Sequence, residues 1–374
     1  MLAVRAQPQD SERAVCQDQP LLDLDLRAFG YDTSSATRRL REFVDFTDLS
    51  NLALAWLALD DPTEAKKIGP LTPRPAHLHI LLLDARTGSK QGLQEWPTPS
   101  TPVRFSGLGN GKFLTCTGNV LRLFSPGFEV IREQNLQSER TCLSFLSSGT
   151  WGVSPSRRSL LLYSRSEKGY ENTLVNSDTF ATNASWIDKF PTNGISDHWL
   201  TAFCGQRREI CIRGVDQSWQ PFQPGDLGEQ TNHKRVNSAV FVNDGTLAIE
   251  LGNRMLVAKA DGTLLFQVRL PERRSFGTVA TSSGGERFAV IENRSRGLRS
   301  ELLDMYPFAS NDRVVVYSIS DRRDIYAVRV RGTSPWTPWD FHTNQLALSP
   351  DGVLLAVISD GRLKVYRLPC NKPG

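Results

Sequence analysis

Long apolar runs are missing from this chain of 374 residues, and no stretch approaches the roughly 18–20 apolar residues of a membrane-spanning helix. Neither sign of charge dominates, since 44 lysines and arginines stand against 40 aspartates and glutamates. The basic residues are scattered and form no stripe, so we expect no nucleic-acid partner. With 28 glycines and 21 prolines, the composition also excludes collagen-like and disordered classes.

Catalytic motifs are absent as well: the chain has no HExxH, GxSxG, Walker or EF-hand pattern. The glycine-rich segment Gly107–Gly111 lies in a hairpin turn and no helix pattern follows it, which argues against a phosphate cradle. His77 and His79 share a strand face without an evident third ligand, so they are interpreted as exposed strand histidines. Ser196–His198 are adjacent in the chain, whereas a catalytic triad converges in space. We expect no catalytic residue, no metal and no cofactor.

Short apolar blocks separated by turn residues fill the sequence. Examples are Val120–Phe124, Leu160–Tyr163 and Leu363–Tyr366, and turn dipeptides such as Asp351-Gly352 follow closely. The best helix candidate is the short polar segment Ser35–Arg41. This pattern predicts an all-β sandwich, barrel or propeller.

An internal repeat favours the propeller. Phe241–Ile249 (FVNDGTLAI) aligns with Phe46–Leu54 (FTDLSNLAL), and Ser282–Val290 (SSGGERFAV) aligns with Ser349–Val357 (SPDGVLLAV). Looser copies bring the repeat to seven units, spaced 40 to 67 residues apart. Such a period is typical of propeller blades, and a closed ring leaves few exposed sheet edges. The anchors are Phe46, Phe105, Phe145, Ile195, Phe241, Thr281 and Leu348. We predict a seven-bladed β-propeller with four-stranded antiparallel blades.

The last unit carries a resemblance to a known superfamily. Leu346–Leu368 (LALSPDGVLLAVISDGRLKVYRL) resembles a blade of the WD40 and YVTN-type β-propellers, in which a Ser-Pro-Asp-Gly turn joins two strands. The other six units are degenerate copies of this pattern. The resemblance implies a propeller fold and a scaffold role, and it transfers no catalytic residue.

The chain is predicted to form one domain over residues 20–370, preceded by an extension or residual signal region over residues 1–19. The last unit has three strands before the chain ends, and Leu21–Leu26 (LLDLDL) has the alternation of an outer strand. We predict that this segment, about residues 20–27, closes the ring as the fourth strand of the last blade. The alternative is a strand that belongs to blade one alone.

Six cysteines are present and no two form a Cys-x-x-Cys pair, so zinc and thioredoxin-like sites are not expected. If Leu21–Leu26 runs antiparallel to Leu363–Leu368, Cys16 and Cys370 lie at one end of the blade and can form a disulfide. Cys204 and Cys211 can face each other across a hairpin. Cys116 and Cys142 lie in neighbouring blades and are interpreted as buried thiols. For each pair the alternative is a small apolar core residue.

Disulfides would place the protein in an oxidising compartment. The N-terminus lacks the apolar stretch of a signal peptide, but Val4-Arg5-Ala6 has the form of a cleavage site. Export to a periplasm or to the outside is favoured over the cytoplasm by a small margin.

Three atypical segments indicate where the protein binds a partner. Ala58–Pro75 in blade one, Asn293–Asn311 in blade six and the connector Arg331–Thr343 should open on one face of neighbouring blades. Exposed tryptophan and tyrosine beside arginine are typical of recognition surfaces. The binding candidates are Lys66, Lys67, Arg294, Arg296, Arg299, Tyr306, Trp336, Trp339, Asp340 and His342.

The favoured function is therefore a monomeric, non-catalytic scaffold that recognises a protein, a peptide or a glycan on this face. The alternative for the loops is that they pack on each other and cap the channel. The alternative function is a propeller enzyme of hydrolase, lyase or quinoprotein type, with acidic groups at the channel. Its candidate residues are Asp45, Asp48, Asp197 and Asp340.

Overall fold

The fold was examined in a computed structural model. It describes residues 19–31, 42–59, 76–98, 103–117, 119–136, 152–190, 192–204, 209–222, 236–251, 253–270, 274–294, 312–330, 345–359 and 361–369. Within these ranges the chain forms 27 strands and one short 3-10 helix, Leu26–Phe29. The strands assemble into seven antiparallel sheets, the blades of a propeller, which confirms the predicted fold.

Six blades are built from consecutive strands and blade seven also includes β1, and the strands of each blade are given from the innermost outward. Blade one is β2 (Glu42–Phe46), β3 (Asn51–Leu59), β4 (Ala76–Asp84) and β5 (Lys90–Thr98). Blade two is β6 (Val103–Gly107), β7 (Phe113–Thr117), β8 (Val120–Phe124) and β9 (Val130–Asn135). Blade three is β10 (Ser159–Ser166), β11 (Gly169–Asn176) and β12 (Thr182–Asp188), and blade four is β13 (Thr192–Ile195), β14 (Trp199–Cys204), β15 (Glu209–Gly214) and β16 (Gln220–Pro221).

The second half of the ring repeats the arrangement. Blade five is β17 (Val236–Asn243), β18 (Thr246–Leu251), β19 (Arg254–Lys259) and β20 (Leu264–Arg269). Blade six is β21 (Arg274–Thr281), β22 (Arg287–Arg294), β23 (Asp312–Ser318) and β24 (Arg323–Val330). Blade seven is β25 (Leu346–Leu348), β26 (Leu354–Ser359), β27 (Arg362–Arg367) and β1 (Leu22–Asp25).

The N-terminal strand closes the ring in the predicted way. β1 pairs with β27 in antiparallel register, with Leu22 opposite Val365 and Leu24 opposite Leu363. Arg362 Nε donates to Asp23 Oδ1 at 2.7 Å across this pair. Leu26, directly after β1, is 1% exposed in the apolar cluster between blades seven and one. The alternative, a strand that belongs to blade one alone, is therefore wrong.

The core is divided among the contacts between blades. Each of the seven apolar clusters in the described part of the chain lies between two neighbouring blades, and together they complete the circle. The cluster between blades three and four has the fewest buried residues. There the guanidinium of Arg213 lies 4.6 Å from the ring centroid of Trp186 and 5.1 Å from that of Trp219, which adds cation–π contacts.

A turn that begins with a serine recurs in several blades and accounts for the sequence repeat. It also shows that the repeat unit of blade three was predicted at the wrong position. The hydroxyls of Ser154, Ser282 and Ser349 each accept a hydrogen bond from the backbone N–H five residues later, at 2.8–3.2 Å. These hydroxyls fix the turn between the first two strands of a blade. In blade three the innermost position is Val153, which bridges to Leu160, and not the predicted anchor Phe145, which lies outside the described residues.

All three cysteines in the described residues are in disulfides. Cys204 and Cys211 are bonded to each other across β14 and β15, with Cα atoms 5.8 Å apart, so this predicted pair is confirmed. Cys116 is buried on β7 and is also disulfide-bonded, so its interpretation as a thiol is wrong. Cys16, Cys142 and Cys370 lie outside the described residues.

Candidate functional site

The order of the strands gives the propeller two different faces. Connections from the second to the third strand of a blade, and from one blade to the next, open on the side that we name the loop face. Turns from the first to the second strand and from the third to the fourth open on the opposite side, the turn face. This follows from the antiparallel pairing within every blade.

The three segments predicted to bind a partner connect strand ends at the loop face. Residues 60–75 join β3 to β4, residues 295–311 join β22 to β23, and residues 331–344 join blade six to blade seven. Blade seven packs against both blade six and blade one, because apolar clusters lie between β22 and β26 and between β2 and β26. The sequence prediction therefore correctly identified three connections in one sector.

The candidate side chains in these connections are outside the described part of the chain. They are Lys66, Lys67, Arg296, Arg299, Tyr306, Trp336, Trp339, Asp340 and His342. Arg294 ends β22, where it pairs with Arg274, and its backbone position at the loop face is described. Their role in binding stays a prediction.

At the turn face, hydrogen bonds join the first turn of one blade to that of the next. The Gly111 N–H donates to the Thr47 carbonyl at 2.6 Å, and the Gly284 N–H donates to the Pro350 carbonyl at 2.9 Å. The His198 N–H donates to Asp244 Oδ1 at 3.1 Å. The turns of blades one and two, of blades six and seven, and of blades four and five are therefore joined directly at this face.

A buried ion pair lies beneath this face and joins three blades. Asp45 on β2 is 2% exposed, and its Oδ1 accepts from Arg157 Nη2 at 3.2 Å. Asp45 Oδ2 accepts from the Ser106 hydroxyl at 3.1 Å and from the Gly107 N–H at 3.0 Å. Gly107 allows this approach, because a Cβ there would lie 2.1 Å from the Phe46 carbonyl oxygen. Burial raises the pKa of Asp45, and the Arg157 charge and these hydrogen bonds oppose the shift.

Arg157 also separates two cavities near the ring axis. A cavity of about 550 Å³ opens at the turn face, and its lining includes Leu49, Arg157, Arg158 and Pro350. A cavity of about 30 Å³ lies among the innermost strands of blades three to six, and Arg157 lines it as well. The smaller cavity has room for one or two water molecules. Arg157 thus lies between the enclosed space at the innermost strands and the open cavity at the turn face.

The acidic residues proposed for the enzyme alternative have separate structural partners. Asp45 binds Arg157, as described above. Asp48 accepts from the Ser50 and Asn51 N–H groups, each at 2.8 Å, and so fixes its own turn. Asp197 accepts from the Ser159 hydroxyl at 3.0 Å. Asp340 lies outside the described residues. The described members of this set do not converge on one point, and the structure does not favour the enzyme.

The histidines likewise have local partners. His77 and His79 lie on one face of β4, with their Nδ1 atoms 3.9 and 3.8 Å from the Glu95 carboxylate. Burial lowers the pKa of His79, which also stacks on Trp56. His198 does not form a triad with Ser196 and Asp197. It pairs through Nδ1 with Asp244 of the next blade, and this hydrogen bond raises the pKa of His198.

The described ranges contain neither a cluster of metal-ligating side chains nor a membrane-spanning helix. No group of three or more histidine, cysteine, aspartate or glutamate side chains there is arranged to hold a metal ion. No helix in the same ranges is long and apolar enough to cross a membrane.

Comparison with known proteins gives similarity at the level of solved structures. No protein-family model matches the chain, and no curated protein sequence matches it. A chain of the mitotic checkpoint complex is 16% identical with a TM-score of 0.49, over 98% of this chain and 96% of that one. The Cps50 (Swd1) β-propeller domain of Myceliophteria thermophila is 10% identical with a TM-score of 0.39, over 72% of this chain and 97% of that one. The seven-bladed propeller is established by the strand pairing of this chain itself.

Proposed function

We propose that this protein is a non-catalytic scaffold that binds a protein or peptide partner at the loop face of blades six, seven and one. The observation that carries the proposal is the position of three long connections at adjacent strand ends of a ring whose opposite rim is held by hydrogen bonds. Long segments on a rigid frame are where such folds place recognition. A glycan is the second ligand class with which tryptophan-rich connections are compatible.

We also propose that the protein is exported. All three cysteines of the described ranges are disulfide-bonded, and such bonds persist in oxidising compartments. The partner would then be met in the periplasm or outside the cell.

Replacement of two tryptophans tests the binding face. The variant Trp336→Ala with Trp339→Ala should keep the melting temperature within a few degrees, because the proposal assigns both residues to the partner surface. It should lose capture of a stoichiometric partner that the wild-type chain retains. Leu49→Ala is the matched control, since Leu49 is 53% exposed on the opposite face. A large fall in melting temperature would show that the tryptophans are structural, and undiminished capture by the double variant would show that the partner does not contact them.

A further inference from the structure

A groove on the outer side of the ring, between blades five and six, has arginines at both ends. It has a volume of about 350 Å³ and runs along β20, the outermost strand of blade five. Arg269 lies at the loop-face end, because it pairs with Arg254 at the start of β19. Arg322 and Arg323 lie at the turn-face end, between β23 and β24. The lining residues of this part of the chain, 266–270, cover four strand steps, or about 14 Å.

The base of the groove is apolar, and beneath it lies a buried carboxylate that is paired with an arginine. Phe266 and Val268 line it from blade five, and Val315 and Tyr317 line it from blade six. Below them the Glu292 carboxylate is 1% exposed and accepts from Arg313 Nε and, at 3.3 Å, from the Tyr317 hydroxyl. Burial raises the pKa of Tyr317, so the phenol stays a neutral donor.

The remaining arginines carry charge that the groove does not neutralise. Four arginines line it, Arg269, Arg313, Arg322 and Arg323, against the two carboxylates of Glu292 and Asp324. Arg313 is matched by Glu292. The side chains of Arg269, Arg322 and Arg323 make no hydrogen bond or ion pair with any other residue that the structure describes. A groove with such an excess attracts a negatively charged ligand.

The backbone at Arg322 is unusual for an arginine. Arg322 has φ 57°, in the left-handed region, at a turn where blades one and five have Gly88 and Gly262. Blades two and three have Phe128 and Phe180 there, and each packs on an apolar cluster. Arg322 is exposed and gains no such burial. Packing of the side chain therefore does not account for the left-handed backbone at Arg322.

We propose that this groove binds an extended acidic peptide segment of a partner protein. A segment of about five residues spans about 14 Å between its first and last Cα atoms in extended conformation, the same length as the groove lining. Carboxylates at its two ends would pair with Arg269 and with Arg322 and Arg323, and apolar residues between them would cover Phe266 and Val268. The groove is on the outer side of the ring, so it is separate from the proposed loop-face surface.

Fluorescence anisotropy with a labelled five-residue peptide tests the proposal. The peptide has glutamates at both ends and aliphatic residues between them, and the comparison peptide has lysines in place of the glutamates. We expect saturable binding of the acidic peptide only, weakened as salt rises. Arg269→Glu with Arg323→Glu should weaken it at least about tenfold. Arg329→Glu with Arg367→Glu makes the same change in net charge at exposed positions outside the groove and should leave binding unchanged.

Several outcomes would overturn the proposal. The proposal is wrong if the acidic peptide does not bind, if the lysine peptide binds equally well, or if the groove variant and the control variant lose peptide binding to the same extent. Displacement of the peptide by millimolar inorganic phosphate at constant ionic strength would instead assign a site for small anions. Thermal melting of both variants shows whether they are folded, and Arg323→Ala replaces the double variant if it is not.

Discussion

The link between Asp45 and Arg157 shows how a charge is kept inside this ring. The carboxylate is fully enclosed, yet it has two backbone or hydroxyl donors on Oδ2 and a guanidinium on Oδ1. The guanidinium comes from Arg157, which is itself in the left-handed region at φ 67°. An unpaired carboxylate at this depth would be strongly unfavourable, whereas a paired one is tolerated. The pair therefore fixes the turn of blade three against blades one and two.

Loss of the cation should be costly at neutral pH. We expect Arg157→Met to lower the free energy of unfolding by about 3–5 kcal/mol at pH 7, because Asp45 is left as a buried charge. Asp45→Asn in the same chain should recover most of this loss. Arg158→Met is the control, since the neighbouring Arg158 is exposed, and should change stability by less than about 0.5 kcal/mol. Urea denaturation of the four chains measures these values.

The same variants give a dependence on pH with a definite sign. Burial raises the pKa of Asp45 in the folded chain, so the stability linked to its protonation is fully present below the unfolded pKa of about 3.9 and is lost as pH rises through the folded pKa. Arg157 opposes this shift, and its removal raises the pKa further. The cost of Arg157→Met should therefore shrink toward pH 4. An equal cost at pH 7 and pH 4 would contradict this account of the pair.

At the scale of elements, the sequence predicts most strands because their apolar blocks are short and bounded by turns. The block Val120–Phe124 coincides with β8, and Leu160–Tyr163 lies within β10 (Ser159–Ser166). Blade three was misplaced, because the residue that bridges to its strand β10 within the described ranges is Val153 and not the predicted anchor Phe145. The signal that could have corrected it is Ser154-Pro155, which parallels Ser349-Pro350 of the last blade.

Closure of the ring by β1 should depend on one buried side chain, that of Leu26, which follows the strand directly. Leu26→Asp places a charge in the cluster between blades seven and one, and we expect a loss of about 3–5 kcal/mol, near the upper range for single substitutions. Leu21→Asp, five positions earlier at 47% exposure, should cost less than about 0.5 kcal/mol. Thermal denaturation compares the two. Similar losses in both variants would mean that β1 does not seal the ring.

At the scale of the molecule, no blade can bury its faces alone, because the described core lies between blades. This is why a repeat of short units predicts the ring, and why the sequence could not predict the groove at blades five and six. Its walls come from β20 and from the turn after β23, which are far apart in the chain. The pairing of β23 with β24 also shifts register between Val316 and Tyr317, and the sequence carries no signal for such a shift.

Ring closure leads to a last prediction, about the cysteines that the structure does not describe. The Leu21 N–H donates to the Val365 carbonyl at 2.7 Å, so the chain before β1 and the chain after β27 leave the sheet at the same end. Cys16 precedes β1 and Cys370 follows β27, and we predict that they form a disulfide. Cys142 is then left as the partner of Cys116. A bond that closes a loop around the whole ring should stabilise it by about 4–5 kcal/mol.

Alkylation in denaturant without reductant measures this pattern. We expect no modified thiol, and peptide mapping should recover Cys16–Cys370, Cys116–Cys142 and Cys204–Cys211. Cys16→Ser should then expose one thiol, at Cys370, and lower the melting temperature, whereas the same substitution should have no effect on a chain already reduced. Two free thiols at Cys16 and Cys370 in the wild-type chain would show that only the pairing of β1 with β27 and the packing of Leu26 hold the ring closed.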